Sequence, residues 1–311
     1  MFDIISIGSA TRDVLMQSDA FEHAKAGSKV EVKKLILATG GGGTNYAVTF
    51  ARQGLKTACV GVIGSDPNGA EILRELEGEG INVDMFQKHN DDMTAYSVIL
   101  VYPNAERTIL SYKGEGQHFS AAQIDFSKLQ TRWLFLDSLG GHYDLFEKLV
   151  RHAVANGIKI ACNPGGKELA HGLEKLKPLL AQMDIVLMNK EEEEQLSGDL
   201  KKYVKGILSI SDGPRGVTVF DGEKTYTAGI PDSPVVERTG AGDAYGAGFV
   251  SQILLNDEAR MTNDEKITKA IQFGTANASS AVTQFGAKAG ILKSGDWGPW
   301  PLIEVRITKN E

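Results

Sequence analysis

The chain has 311 residues, 42% hydrophobic and 23% charged, which supplies a sizeable core and excludes a mostly disordered chain. Lys plus Arg number 33 against 40 Asp plus Glu, a net charge of −7, and an acidic chain without a basic block is a poor nucleic-acid binder. No run of about 18 apolar residues occurs, so no transmembrane helix is expected, and Cys59 and Cys162 stand alone without CxxC spacing, which argues against a disulfide scaffold and for a reducing cytoplasm.

Phe2 to Ile7 is a near-continuous apolar run ending at Gly8. It reads as a central strand buried on both faces, not as a signal peptide. Lys29 to Leu37 alternates and is expected to be a strand. The run Gly40-Gly41-Gly42-Gly43 follows, and Asn45 to Gln53 has helical spacing. Thr57 to Ile63 reads as a strand and Asn68 to Glu79 as an amphipathic helix. Thr94 to Val101 and Arg107 to Tyr112, joined by Pro103-Asn104-Ala105-Glu106, form a predicted antiparallel hairpin. Alternation then resumes: strand 133–137, helix 143–156, strand 158–162, helix 167–182, strand 184–188, helix 190–196. Short strands are expected at 207–211, 216–221 and 224–228, and helices at 242–255 and 264–283. This order implies a mostly parallel sheet covered by helices. The hairpin, with strand material near 14–36, would form a small second sheet.

The strongest local signal is Thr239-Gly240-Ala241-Gly242-Asp243, opening an apolar helix. Small residues let the backbone approach a ligand, and the free N–H groups of a first helical turn favour an anion. Asp243 either caps that helix or takes a proton from a nucleophile beside the anion. A dinucleotide fingerprint fits poorly, because the motif lies late in the chain and two helices follow it. Gly40 to Asn45 is a second glycine-rich loop, ending in a side chain able to bind hydroxyls. Asp13 lies just past the first strand, where open α/β sheets bind ligands. Asn189-Lys190-Glu191-Glu192 follows an apolar strand, so it is either a charged first turn complementing the helix dipole or part of a site.

These features and Ser211-Asp212-Gly213-Pro214-Arg215-Gly216, in this order, resemble the PfkB (ribokinase-like) family of carbohydrate and nucleoside kinases. The resemblance covers nearly the whole chain. It implies a single domain over 1–311, a three-layer α/β/α fold with a small β-sheet lid made from about 14–36 and 94–112. It implies ATP, Mg²⁺ and a monovalent cation such as K⁺. By resemblance, Asp243 is the base that activates a substrate hydroxyl, and Gly240, Ala241 and Gly242 form the anion hole. Asn189 and Glu192 help hold the phosphates and Mg²⁺ through water. Ser211, Gly213 and Gly216 form a nucleotide-binding turn, and Asn277 flanks the adenine. Asp13, Gly41, Gly42 and Asn45 hold sugar hydroxyls, and Tyr96, Ser97 and Val98 close over the substrate. A homodimer through the lid sheet is expected, with no membrane or nucleic-acid partner.

Glu237-Arg238 replaces the family's usual Asp-Thr. Glu237 is the expected monovalent-cation residue. Arg238 brings a fixed charge beside the anion hole, either to replace that cation in part or to point into solvent. Gly42 sits where ribokinase types often carry Lys, and an arginine typical of phosphosugar kinases is absent near Thr94. An unphosphorylated sugar is therefore the expected acceptor. Tyr46, Tyr96 and Phe21 keep a nucleoside open, and a catalytically silent homologue is the third alternative. The expected base is a weak one, since a helix N-terminus favours an ionised carboxylate. The tail with Trp297 and Trp300 has no assigned role.

Overall fold

A computed structural model describes residues 1–257 and 259–310. In chain order the elements are β1 (Phe2–Ile7), β2 (Thr11–Gln17), β3 (Lys34–Gly40), α1 (Gly42–Arg52), β4 (Thr57–Val60), β5 (Val62–Gly64), α2 (Pro67–Gly78), β6 (Gln87–His89), β7 (Tyr96–Val101) and β8 (Arg107–Tyr112). There follow β9 (Thr131–Leu136), α3 (Tyr143–Ala155), β10 (Lys159–Cys162), α4 (Gly166–Leu169), α5 (Leu173–Leu180), β11 (Ile185–Asn189), α6 (Lys190–Gln195) and β12 (Ile207–Ser211). The last are β13 (Val217–Phe220), β14 (Lys224–Ala228), α7 (Ala241–Leu255), α8 (Asn263–Ala281) and β15 (Val305–Lys309).

The large sheet has the order β15-β14-β13-β12-β11-β10-β9-β1-β4. The run from β12 to β4 is parallel, and β13 to β15 are antiparallel. The parallel strands are apolar on both faces and contribute to two cores, whereas at the edge β14 is half-buried and β15 largely exposed. Ile5, Leu134, Leu136 and Val186 pack with α3 and α5 on one side; Ile4, Phe135 and Leu187 pack with α1, α7 and α8 on the other. That is the three-layer α/β/α arrangement. Both cysteines are buried within it. No helix among the described residues is long and apolar enough to cross a membrane.

The hairpin expected at 94–112 joins β2 and β3 in a separate sheet of order β3-β2-β7-β8. Strand alternation gives it two different faces. Asp13, Ala38, Ser97 and Ser111 share one row of one face, and the buried Leu15, Ile99 and Val101 lie on the same face. The opposite face carries Leu35, Leu37, Leu110 and Tyr112, exposed by 53%, 58%, 56% and 50%.

Four expectations shift. The strand expected at 29–37 runs Lys34–Gly40 instead. The strand expected at 57–63 divides at Gly61, because β4 pairs with β1 whereas β5 leaves to pair with β6. The helix expected at 167–182 divides at Gly172, whose φ of 80° breaks the helical path. The tail packs Trp297 edge-on against Phe273, 5.1 Å between centroids. It then forms β15 on the edge of the large sheet, a strand with no clear sequence pattern.

Candidate active site

The parallel strands β1, β9, β10, β11 and β12 end side by side. Their carboxyl ends deliver in turn Ser9, Asp137, Asn163, Asn189 and Ser211. This is the crevice where open α/β sheets bind ligands. The N-terminus of α7 stands over its middle and brings Asp243.

On the β1 side the glycine run closes down on two carboxylates. Gly41 has a φ of 89°, and a Cβ there would meet the Ser9 carbonyl. A Cβ at Gly40 would overlap the Asp13 carboxylate, and one at Gly42 would overlap that of Asp137. Ser9 knits the loop together: its Oγ accepts from Gly42 N (3.0 Å) and donates to Asp137 Oδ2 (3.0 Å). Asp13 accepts from Thr11 Oγ1 at 2.9 Å. Asn45 reaches across from α1 and donates from Nδ2 to Asp243 Oδ2 at 2.7 Å. Its Oδ1 is buried and has no partner. The two glycine loops, 198 residues apart in sequence, thus meet at one hydrogen bond.

At α7, Gly240 is left-handed with a φ of 76°, and its α-carbon faces Ala287 too closely for a Cβ. Gly242 differs: a Cβ there would meet no protein atom within 4 Å. The helix begins at Ala241, so the amides of Gly242 and Asp243 have no partner within it. Open space beside first-turn amides fits an anion. Around the same loop lie Asn45 Oδ1, Arg107 Nε, Glu237 Oε2, Arg238 Nε and Thr239 Oγ1, all buried and without a hydrogen-bond partner. Buried polar atoms are normally satisfied, so unmet donors and acceptors gather at this loop. Glu237 is 1% exposed. Its Oε1 accepts from Thr239 N at 2.6 Å and lies 4.0 Å from Arg107 Nε of β8.

The β11 and β12 side is more open. Asn189 and Glu192 cap α6 reciprocally: Glu192 N donates to Asn189 Oδ1 (2.9 Å), and Asn189 N donates to Glu192 Oε2 (2.8 Å). The motif is thus a charged first turn closed by a capping box, with Glu192 placed beside Asn163 and within reach of the Asp243 charge. The turn 211–216 is fixed by Asp212 N donating to Gly216 O at 2.8 Å and by the Arg215–Asp212 ion pair. Gly213 faces open space with a φ of 51°.

Charge in the crevice is concentrated and negative. Burial, then repulsion by Asp243, pushes the Asp137 carboxyl up to about 7. Burial also raises Glu192, with Asp243 adding to the shift. Asp243 itself is raised by burial, although Asn45, Lys288 and Arg107 favour its ionised form. Burial thus acts against the helix terminus, in the direction of a stronger base than the terminus alone would give. No three His, Cys, Asp or Glu among the described residues come close enough to hold a metal directly. A divalent ion would fit here through water, drawn by this charge.

Tyr96 does not face the site. It pairs with Arg12 in register, whereas Asp13 pairs with Ser97. Ser97 therefore takes the position expected of Tyr96, and Val98 also points away. Tyr46 is buried and stacks on Phe135 at 3.8 Å, so it is core rather than a nucleobase platform. Asn277 is buried too, with Nδ2 donating to Ala244 O (2.8 Å) and Oδ1 accepting from Leu292 N (2.9 Å). It ties α8 to the first turn of α7. Three residues escaped sequence reasoning. Asp137 directly follows an apolar parallel strand, and the rule applied to Asp13 could have found it, although Asp13 itself lies within β2 of the small sheet. Arg107 and the buried Lys288, which donates to Thr39 Oγ1 at 2.6 Å, had no local signal.

A nine-stranded α/β sheet with an anion-binding helix start, a buried carboxylate beside it and a small sheet above defines a phosphotransferase of the carbohydrate-kinase type. The model of the pfkB family carbohydrate kinases matches residues 1–294, and the chain belongs to that family. It is 28% identical over 301 residues to a ribokinase of Haemophilus influenzae, covering 92% of this chain and 94% of the relative. It is 22% identical over 317 residues to a nucleoside kinase of Methanothermobacter thermautotrophicus, covering 97% and 98%. The solved ribokinase of Giardia lamblia superposes with a TM-score of 0.80 at 19% identity, covering 94% of this chain and 96% of that one. The enzyme is a phosphotransferase with a sugar or nucleoside alcohol as acceptor.

Proposed function

We propose that the chain transfers the γ-phosphate of ATP to a primary hydroxyl of an unphosphorylated sugar, with Mg²⁺. The observation that carries this reading is the Asn45–Asp243 hydrogen bond, which puts the base between a hydroxyl-binding loop and an anion-binding helix start. Asp13, Asn45, Asp137 and the backbone at Gly41 and Gly42 bind the sugar hydroxyls. Asp243 takes the proton of the attacking hydroxyl as its oxygen bonds to phosphorus and the bond to the β-phosphate oxygen breaks. The amides at Gly240, Ala241 and Gly242 stabilise the transferring group. Asn189, Ser211, Gly213 and Gly216 line the nucleotide side, and Asn277 supports it from behind. Mg²⁺ neutralises phosphate charge, and Glu192 would hold its water shell. The row around Asp13 on the small sheet is Ala38, Ser97 and Ser111. That row is itself uncharged, which supports an unphosphorylated acceptor, while Lys288 reaches the Asp13 and Asp243 carboxylates by charge and Arg107 the latter.

The small sheet acts as a lid that excludes water. Its exposed apolar outer face supports pairing of two copies of the chain. Glu237 Oε2 is the acceptor that fits a monovalent cation. The Arg107 charge beside it supports only a modest dependence of activity on potassium. Strong potassium activation over sodium would overturn that part.

The test is ADP production with ATP and Mg²⁺ across free sugars, sugar phosphates and nucleosides. Turnover with a free sugar and not with its phosphate is expected. Preference for nucleosides would move the assignment to that branch. Nucleotide binding by calorimetry without any turnover would support a silent homologue.

A further inference from the structure

Two adjacent residues at the tip of the β7–β8 hairpin, Glu106 and Arg107, face two adjacent residues of the loop before α7, Glu237 and Arg238. The signs are crossed. Arg238 Nε lies 3.4 Å from Glu106 Oε1, and Arg107 Nε lies 4.0 Å from Glu237 Oε1. The hairpin tip is docked rather than free: Ala105 is only 8% exposed. Ala105 holds a φ of 64° as the left-handed residue of the hairpin turn, in which Ala105 N donates to Tyr102 O and Tyr102 N to Glu106 O. Of the six buried side-chain polar atoms without a hydrogen bond among the described residues, three belong to this quartet, Arg107 Nε, Glu237 Oε2 and Arg238 Nε, and for the two arginine atoms the facing carboxylate is the ion-pair partner.

We infer that Glu106, Arg107, Glu237 and Arg238 form a reciprocal ion-pair latch that holds the lid tip on the anion-hole loop, making closure over the acceptor and completion of the phosphate site one event. Arg107 and Arg238 are positioning residues here. The role of the latch in turnover rests on the kinase reading above; its role in closure does not. Glu237 is the buried anchor, since a carboxylate out of water needs a compensating cation, and the hairpin supplies it. The Arg107 charge also reaches Asp243 and favours its ionised form. An open lid would therefore withdraw a cation from the base as well as admit water. This geometry gives Arg238 a partner on the lid, so it neither points idly into solvent nor needs to stand in for a bound cation.

The half-exposed pair is the safe one to alter. The variants are Glu106→Arg, Arg238→Glu and the swap carrying both. The first readout is hydrogen exchange of the β7–β8 amides in the ligand-free protein. Each single variant should exchange about two- to fivefold faster there, the range open to a half-exposed pair, and the swap should return it towards the parent. The second readout is turnover. Each single variant should raise the acceptor KM several-fold more than it lowers kcat, and should raise ATP hydrolysis without acceptor; the swap should reverse both. Unchanged exchange in the single variants, or a swap no better than the worse single, would overturn the latch. Altered exchange with rescue in a protein lacking kinase activity would uphold the latch as a closure device and overturn the kinase reading alone.

Discussion

The two halves of the crevice are built differently. On the acceptor side, glycines are small because protein atoms already fill the space: Gly40 leans on Asp13, Gly42 on Asp137 and Gly43 on Gly8. Towards the donor the glycines divide: Gly240 and Gly216 pack against Ala287 and the Ala228 carbonyl, whereas Gly242 and Gly213 face nothing within 4 Å. The same residue type therefore serves close packing throughout the acceptor side and, at Gly242 and Gly213, leaves room for a ligand. Exposure follows the same division. Asp13, Asn45 and Asp137 are buried, whereas Lys190, Glu194 and Arg215 around the donor side are exposed. On the proposed reading, a buried acceptor half would select the hydroxyl and keep water from competing for the phosphate. An open donor half would let a large charged nucleotide enter and leave.

The largest effect should come where the halves meet. Asp243→Asn should lower kcat by about two to four orders of magnitude, the usual weight of a positioned base, without lowering the Tm; a coupled ADP assay and a thermal melt check both. The glycines sharpen the contrast. Gly42→Ala should destabilise the fold by about 1–3 kcal/mol through overpacking. Gly242→Ala should leave the melt unchanged and instead weaken ATP turnover. Equal losses of stability in the two would erase the distinction between the halves.

Asp137 ties the acceptor half to pH. Its pKa is raised in the fold to about 7 from an unfolded value near 3.9. The folded state then binds more protons between those values, so stability falls as pH rises through that window and levels off above it. Asp137→Asn removes the ionisation. It should stabilise the ligand-free protein above pH 7 by up to about 4 kcal/mol at 1.36 kcal/mol per pK unit, little near pH 4, while weakening the acceptor KM. Urea melts at pH 5 and pH 8 would show it. The smallest effect on chemistry should come from the outer face of the lid. Leu37→Glu should convert a dimer into monomers in light scattering and leave kcat within a few-fold. A parent protein already monomeric would remove the pairing proposal.

The elements that were legible share a cause. Alternation of apolar strands with amphipathic helices is local, so β1, β9 to β12 and the helices of both layers follow from spacing alone. The glycine motifs were legible because backbone approach to a ligand, or to another backbone, demands the absence of a side chain. Residues whose roles depend on register or on distant partners were not. Tyr96 and Ser97 are neighbours in sequence, and only the pairing of β7 with β2 decides which one faces Asp13. Asn277 is a nucleotide contact by resemblance, yet its amide is spent between α7 and α8. Burial, a property of the assembled layers, raises the Asp243 carboxyl where the local dipole would hold it down. Glu106 and Arg238 are 132 residues apart by their numbers, and no local pattern announces that they meet. Sequence by itself determined the layers and the glycine loops and, through the resemblance they carry, singled out Asp243 as the candidate base, because each rests on periodicity or on the chemistry of one short segment. Tertiary structure alone decided which faces look inward, which carboxylates share a crevice and which charges pair across it, because those depend on the register and burial that only the folded chain supplies.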